Sequence, residues 1–482
     1  MDDQTHCAPV IANPIEPETG TILKVVLINP YELGRQPLAL AEPAALLGAE
    51  GYEVRCIDLS QQRLVKEDLQ NAAMVAVYLG MHTATRIAVE ALPRIKTLAP
   101  GAHLCAYGLY APMNETLLRN LGIGTILNGD PEAALLELAR AIATEGKVQT
   151  KTAVDAKPIP FVTPDRTGLP ALSSYASLVL PDGGNKTVGF TDTTRGCKHL
   201  CRHCPVVPVY NGAFRAIPKE IVMADIRQQI KAGAQHISFG DHDFFNGPSN
   251  GLRIAKAFLA EFTDVSCDAV IKIQHLLNHA ALLPELKAAG CLFITAAVES
   301  IDDQVLEYLD KHHTHADFVA AVALLQDVGI DLAPTFIPFT PWTTLQDYLE
   351  LLQELVQLEL VESVPPVQLS IRLLVPKGSY LFKLGGFREL VGEFNAKILG
   401  YPWQNPDPEV DRLQQEIQSA IEKAEKEQRP RRAIFEQIWR LAHQAANKTP
   451  PPLPQYVGKR IPAMSEPWYC CAEPTQQQLE GF

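Results

Sequence analysis

Cys197, Cys201 and Cys204 stand in the string TTRGCKHLCRHCP, a C-x3-C-x2-C cluster directly after a strand-like run. Three thiolates on one short loop can hold three irons of a [4Fe–4S] cube and leave the fourth iron without a protein ligand. Cluster iron is soft and prefers thiolate to imidazole or carboxylate. The other chemistry open to this string is a structural zinc, which wants four closed ligands. His199 and His203 could complete that set.

The spacing, the preceding Gly196 and the setting at a strand end resemble the radical SAM superfamily. The resemblance implies that S-adenosylmethionine (SAM) chelates the open iron through its amino and carboxylate groups and accepts an electron there. The superfamily usually places an aromatic residue just before the third cysteine. Here that residue is His203, whose imidazole can stack beside the adenine.

Such a loop needs a strand to present it. Residues 187–375 repeat strand then helix, with strands read at TVGFTDT, QHISFGD, SCDAVIKI, LFITAAVE, DLAPTFI and VQLSIRLL. Helices are expected near 218–233, 250–262, 279–289, 302–325 and 345–358. Repeated right-handed crossovers make a curved parallel sheet. The resemblance gives it the form of a partial (β/α)6 barrel, in which chemistry gathers at strand C-termini.

Ahead of the barrel, residues 21–145 alternate near-continuous apolar strands with helices, the pattern of a parallel sheet covered on both faces. A first strand ending in Asn29-Pro30 and a later NGDPEAAL resemble the cobalamin-binding Rossmann-like domain found before many radical SAM domains. No D-x-H-x-x-G motif offers a histidine as lower cobalt ligand, which is normal among radical SAM members. The fold could equally persist as an empty scaffold. The expected chain is therefore α/β: a disordered stretch over 1–20, the Rossmann-like domain over 21–145 and a linker over 146–186. The radical SAM barrel follows over 187–375, then a helical region over 376–447 and a Pro-rich extended tail over 448–482. Within the linker, Pro164-Asp165-Arg166 reads as a turn.

Around the cluster, Glu299 ends the fourth barrel strand and can accept hydrogen bonds from ribose hydroxyls or a methionine ammonium; the superfamily often places a glutamate there against SAM. Asp241 and, more weakly, Asp243 end the second strand, where family members commonly line the SAM amino group or the substrate. Lys272, Gln274 and Arg372 lie on strands, where an unpaired buried charge is costly. The charged side chains of Lys272 and Arg372 should face the barrel mouth and meet a carboxylate, and Arg372 is a candidate for an anionic group of SAM or substrate. His312, His313 and His315 read as a solvated helix start, and Phe244 and Phe245 as core or rim. Tyr210 lies close enough to the cysteines to matter.

Cys470 and Cys471 are adjacent, between Trp468-Tyr469 and Ala472-Glu473-Pro474. Adjacent cysteines bridge only through a strained ring, so two such thiols suit a soft electrophile, a metal or thiol exchange. WYCCAEP, together with FIPFTPWTT and the cysteine loop, resembles the CUAEP/CCAEP-tail radical SAM (seleno)proteins. In that family selenocysteine can replace the second cysteine, which implies chemistry at Cys471.

The net charge of −13 and the lack of a basic run argue against nucleic acid or an anionic membrane as partner. No apolar stretch approaches the roughly 20 residues a bilayer span needs. Ten cysteines without a secretory start fit a reducing cytoplasm. The expected function is reductive SAM cleavage at a [4Fe–4S] cluster to modify a small molecule, with an electron donor such as flavodoxin or ferredoxin, and with methyl transfer if cobalamin binds. The alternatives are 3-amino-3-carboxypropyl transfer to a soft atom such as arsenic held by Cys470 and Cys471, and a non-enzymatic thiol or metalloid-binding protein.

Overall fold

The computed structural model describes residues 22–146, 148–149, 153–155 and 158–466. The expected disordered start and the Cys470–Cys471 pair lie outside the described residues. The N-terminal strands are β1 (Lys24–Asn29), β2 (Glu53–Asp58), β3 (Ala72–Tyr78), β4 (His103–Tyr107), β5 (Thr125–Asn128) and β6 (Val154–Asp155). They form one parallel sheet in the order β2-β1-β3-β4-β5-β6. Alternate residues go to opposite faces of a strand, and both faces here are dry. Val25, Leu27, Met74 and Ala76 pack with Leu40, Leu47 and Leu135. Val26, Ile28, Val75 and Val77 pack with Ala88, Leu92 and Ile95. Winding reverses between β1 and β3, so the switch-point crevice opens at their C-terminal ends.

The second sheet runs β14-β13-β12-β11-β8-β7-β15. Its strands are β7 (Ser177–Val179), β8 (Asn185–Thr191), β11 (His236–Phe239), β12 (Ser266–Val270), β13 (Cys291–Glu299), β14 (Asp331–Phe336) and β15 (Ala463–Met464). β8, β11, β12, β13 and β14 are parallel, while β7 runs antiparallel to β8 and to β15. The stretch expected as a linker over 146–186 thus supplies β7, and the Pro-rich tail supplies β15. A separate two-stranded ribbon joins β9 (Thr194–Gly196) to β10 (Phe214–Ala216).

The sixth barrel strand is reduced to a single bridge, Phe339 to Arg372. The cause is Pro365-Pro366, which lack N–H donors and fix φ; a 3-10 turn over Pro366–Leu369 replaces the strand. The helix expected over 302–325 also breaks, into Asp303–Tyr308 and His315–Val328. Thr314 and Asp317 form a capping box that starts the second piece. Between them Asp310 and His312 adopt left-handed backbone, each at φ 58°. That kink turns Lys311 inward. The helices Pro408–Lys426 and Arg431–Ala445 close the barrel core with Leu413, Ile417, Phe435 and Ile438.

Arg166 ties the two halves together. Asp165 makes the expected turn by accepting from Thr167, but the Arg166 guanidinium is buried. It donates in a fork to both Asp225 oxygens at 2.7 and 2.8 Å, to Gln36 Oε1 at 2.8 Å and to the Phe190 carbonyl at 2.6 Å. A lysine cannot reproduce that fork. Arg166→Lys should cost roughly 1–3 kcal/mol in urea unfolding, the cost of stranded buried partners.

Candidate functional site

Gly196 sets the geometry of the cysteine loop. Its φ is +84°, and a Cβ there would meet the Ala213 carbonyl oxygen at 2.5 Å, so only glycine lets the β9–β10 ribbon close beneath the loop. Cys197 and Cys201 are buried, Cys204 is half-buried, and all three are unbridged. All three line one cavity of about 300 Å³. Burial pushes the Cys197 thiol up to about 11, so a bare thiolate is disfavoured there and a bound soft cation would offset that cost.

The wall of this cavity comes from the C-terminal ends of both sheets. Tyr31, Glu32 and Arg35 follow β1, Gly80 follows β3, Gly108 follows β4 and Gly129 follows β5. The barrel contributes Asp192, Gly240, His242, Lys272 and Glu299. Arg195 reaches across to Glu42 and, at 2.8 Å, to Glu132, while Tyr210 donates to Asp130 at 3.0 Å. Tyr210 therefore stands in the wall and braces the domain junction.

Glu299 carries the most specific geometry. β13 shifts register between Ala297 and Glu299, and Glu299 itself takes φ 70°. A non-glycine residue there is strained, and here the bulge aims the carboxylate into the cavity. Glu299 Oε1 lies 3.2 Å from Lys311 Nζ and 3.3 Å from His203 Nε2. Burial alone would raise its carboxyl, but Lys311 and His203 outweigh it and hold the group down to about 2. His203 is thus partnered with Glu299, and its ring lines the cavity. Lys311 gave no sequence signal, because its approach depends on the kink at Asp310 and His312.

Three expectations need correction. Asp241 does not line the cavity: its carboxylate accepts from Thr193 N at 3.0 Å, Thr193 Oγ1 at 2.9 Å and Thr194 Oγ1 at 2.5 Å. It pins the turn before the cysteine loop, and burial and then Asp192 push it up to about 7. Arg372 also lies outside the cavity wall. It pairs with Asp411 at 2.6 Å and stacks on Trp403 at 3.5 Å from the ring centre, held there by the C-terminal helical region. Arg372→Ala should therefore leave SAM binding within about twofold while lowering stability by about 1 kcal/mol, the range of a partly exposed pair and stack; calorimetric SAM titration and thermal melting read the two separately. Lys272 meets no carboxylate; its Nζ lies 3.4 Å from Cys201 Sγ.

The histidines separate as well. His199 goes to Asp243 and His203 to Glu299, so the two do not join the cysteines in a closed set. His313 is buried against the Val298 carbonyl at 3.2 Å, where a solvated position was expected; His312 is exposed and His315 pairs with Glu354. Phe244 and Phe245 are core.

Residues 191–355 match the family model described as the Radical SAM superfamily. Among curated proteins, the ribosomal protein uS12 methylthiotransferase RimO of Geobacter sulfurreducens is 25% identical over 166 residues, 33% of this chain and 37% of that one. The chain thus spans little more than a third of that relative's length. Among solved structures, the radical SAM methyltransferase TsrM of Kitasatospora setae superposes with TM-score 0.59 at 18% identity, over 70% of this chain and 71% of that one. The cobalamin-dependent SAM radical enzyme OxsB superposes with TM-score 0.63 at 14% identity, over 84% and 67%. At these identities the likeness to both structures is one of fold. No described helix is long and apolar enough to cross a membrane. A cysteine loop on a strand-end ribbon, opening into a half barrel whose sequence matches that family, makes residues 191–355 a radical SAM domain.

Proposed function

We propose that the chain cleaves SAM reductively at a [4Fe–4S] cluster to modify a small molecule, with cobalamin seated on the Rossmann-like sheet. The observation that carries this reading is the shared cavity: the cysteine loop and the crevice of the N-terminal sheet open into one space. Cys197, Cys201 and Cys204 would hold the cluster, which supplies the electron that breaks a C–S bond of SAM. Glu299, ionised between Lys311 and His203, suits the ammonium or ribose of SAM.

Cobalamin fits the other wall. Gly80, Gly108 and Gly129 line the cavity at the ends of three neighbouring strands, with the Tyr78 ring packed against Gly80 and Gly108, so a flat macrocycle would approach over that ring. His82 Nε2 meets the Ile398 carbonyl at 2.6 Å and His103 Nε2 meets Thr125 at 2.9 Å, and neither histidine lines the cavity, so neither is placed to act as a lower ligand. Bound cobalamin would supply a methyl carrier. TsrM, a methyltransferase solved with cobalamin and a [4Fe–4S] cluster, and OxsB support the assignment by fold. Glu32 would face the substrate: burial, then Asp192, pushes its carboxyl up to about 8, and its Oε2 has no hydrogen-bond partner. At neutral pH it presents a proton donor to the cavity.

A second reading rests on Glu466, the last described residue. Its carboxylate meets the Tyr31 hydroxyl at the cavity wall. Cys470 and Cys471 follow four and five residues later, a reach of at most about 14 and 18 Å, so they are candidate holders of a soft acceptor for a 3-amino-3-carboxypropyl group.

Protein reconstituted anaerobically with iron, sulfide and hydroxocobalamin, then given dithionite and SAM, decides between these. Retained cobalamin lacking the spectrum of a histidine-ligated form, with 5′-deoxyadenosine or methylated product, supports the first reading. Methylthioadenosine released without cobalamin, and lost in Cys471→Ala, supports the second. An iron cluster whose spectrum ignores SAM defeats both.

A further inference from the structure

Three side chains at the barrel mouth take no part in the chemistry above. His199 belongs to the cysteine loop, Asp243 follows β11, and His275 sits on the short helix Ile273–Asn278 after β12. His199 Nε2 lies 3.2 Å, and His275 Nδ1 2.6 Å, from one and the same atom, Asp243 Oδ2. The imidazole centres are 4.6 Å apart. The Asp243 and His275 side chains are only 0% and 5% exposed.

Close approach here does not amount to hydrogen bonding. His199 Nε2, His275 Nδ1 and Asp243 Oδ2 are each buried, and none completes a hydrogen bond. The other Asp243 oxygen is spoken for, since Oδ1 accepts from Phe245 N at 3.1 Å. Donor atoms in contact but off each other's axes are what ligands of a shared ion present, because each lone pair points at the ion. A wholly buried carboxylate oxygen without a hydrogen bond is costly, and a cation between the three atoms removes that cost.

We propose that His199 Nε2, Asp243 Oδ2 and His275 Nδ1 bind a divalent transition-metal ion distinct from the iron cluster. Two imidazoles and one carboxylate are a donor set for zinc or iron(II), with one position left for water. The ion would tie the cysteine loop to the loops after β11 and β12. His199 also stands in the cavity wall, so the ion would hold the loop's orientation toward the cavity. The assignment is independent of what the cavity does to SAM.

The test uses full-length protein reconstituted with its cluster, dialysed against micromolar zinc and read by elemental analysis and zinc X-ray absorption. The expected result is one zinc per chain in addition to cluster iron, with only nitrogen and oxygen neighbours at about 2.0–2.1 Å. Asp243→Asn and His275→Ala should each weaken zinc binding by more than the roughly 10–100-fold that outer-sphere partners are worth. Cys204→Ser should lose the cluster and keep the zinc, which separates this site from the cysteine loop. Absence of extra zinc, sulfur at about 2.3 Å in its shell, or zinc retained by both site variants overturns the proposal.

Discussion

Cys201→Ala takes SAM cleavage to background and iron per chain far below that of the wild type. Cys201 is one of three thiols converging on the cavity, and its Sγ also meets Lys272 Nζ at 3.4 Å. Alanine removes a proposed iron ligand and leaves a buried ammonium without its sulfur neighbour. Two thiolates cannot hold a cube that needs three protein ligands and one open iron. Iron and sulfide analysis, with 5′-deoxyadenosine and methylthioadenosine by mass spectrometry, reads the result. Wild-type iron content in Cys201→Ala would remove the cysteine loop from the mechanism. Lys272→Met is the companion. It keeps the cluster, but loss of a charged donor to a cluster thiolate should shift the reduction potential downward.

Glu299→Ala loses both stability and SAM affinity. Lys311 is buried with Glu299 as its ion-pair partner, and removing one member of a buried pair costs roughly 3–5 kcal/mol. Glu299→Gln keeps the shape and a hydrogen-bond acceptor, so it should fold better and still bind SAM poorly. The pair also fixes an acid dependence. The folded carboxyl sits at about 2, below its usual 4.5. Its contribution is therefore full above about pH 4.5 and is lost as pH falls toward 2, amounting to about 3 kcal/mol. Urea unfolding of metal-free protein between pH 6 and 3 should show a decline in wild type that is shallower in Glu299→Gln. Equal slopes would refute the pairing.

The strand-helix order of both sheets was legible because apolar runs such as KVVLIN and CLFITAAVE are long and bounded by clear turns. The spacing of the cysteines and the strand-end position of Glu299 were legible, and the structure places all four residues in the cavity wall. What escaped the sequence was whatever depends on contacts far along the chain. Arg372 looked like an anion binder, but Asp411 and Trp403, more than thirty residues later, hold it outside the cavity wall. Asp241 looked like a ligand group, yet Thr193 and Thr194 saturate it. Lys311 hid inside a stretch with helical periodicity. Only two left-handed residues beside it turn it toward Glu299.

The short strand Ala463–Met464 pairs with Leu178 and Val179 and covers the β7 edge of the larger sheet. An uncovered edge is a template for pairing with another chain. Trimming the protein at Ala446 would therefore promote self-association, and any activity lost that way would say nothing about the cysteines downstream. Ending it after Glu466 retains the cover, so the two truncations compared by light scattering distinguish a solubility defect from a chemical one.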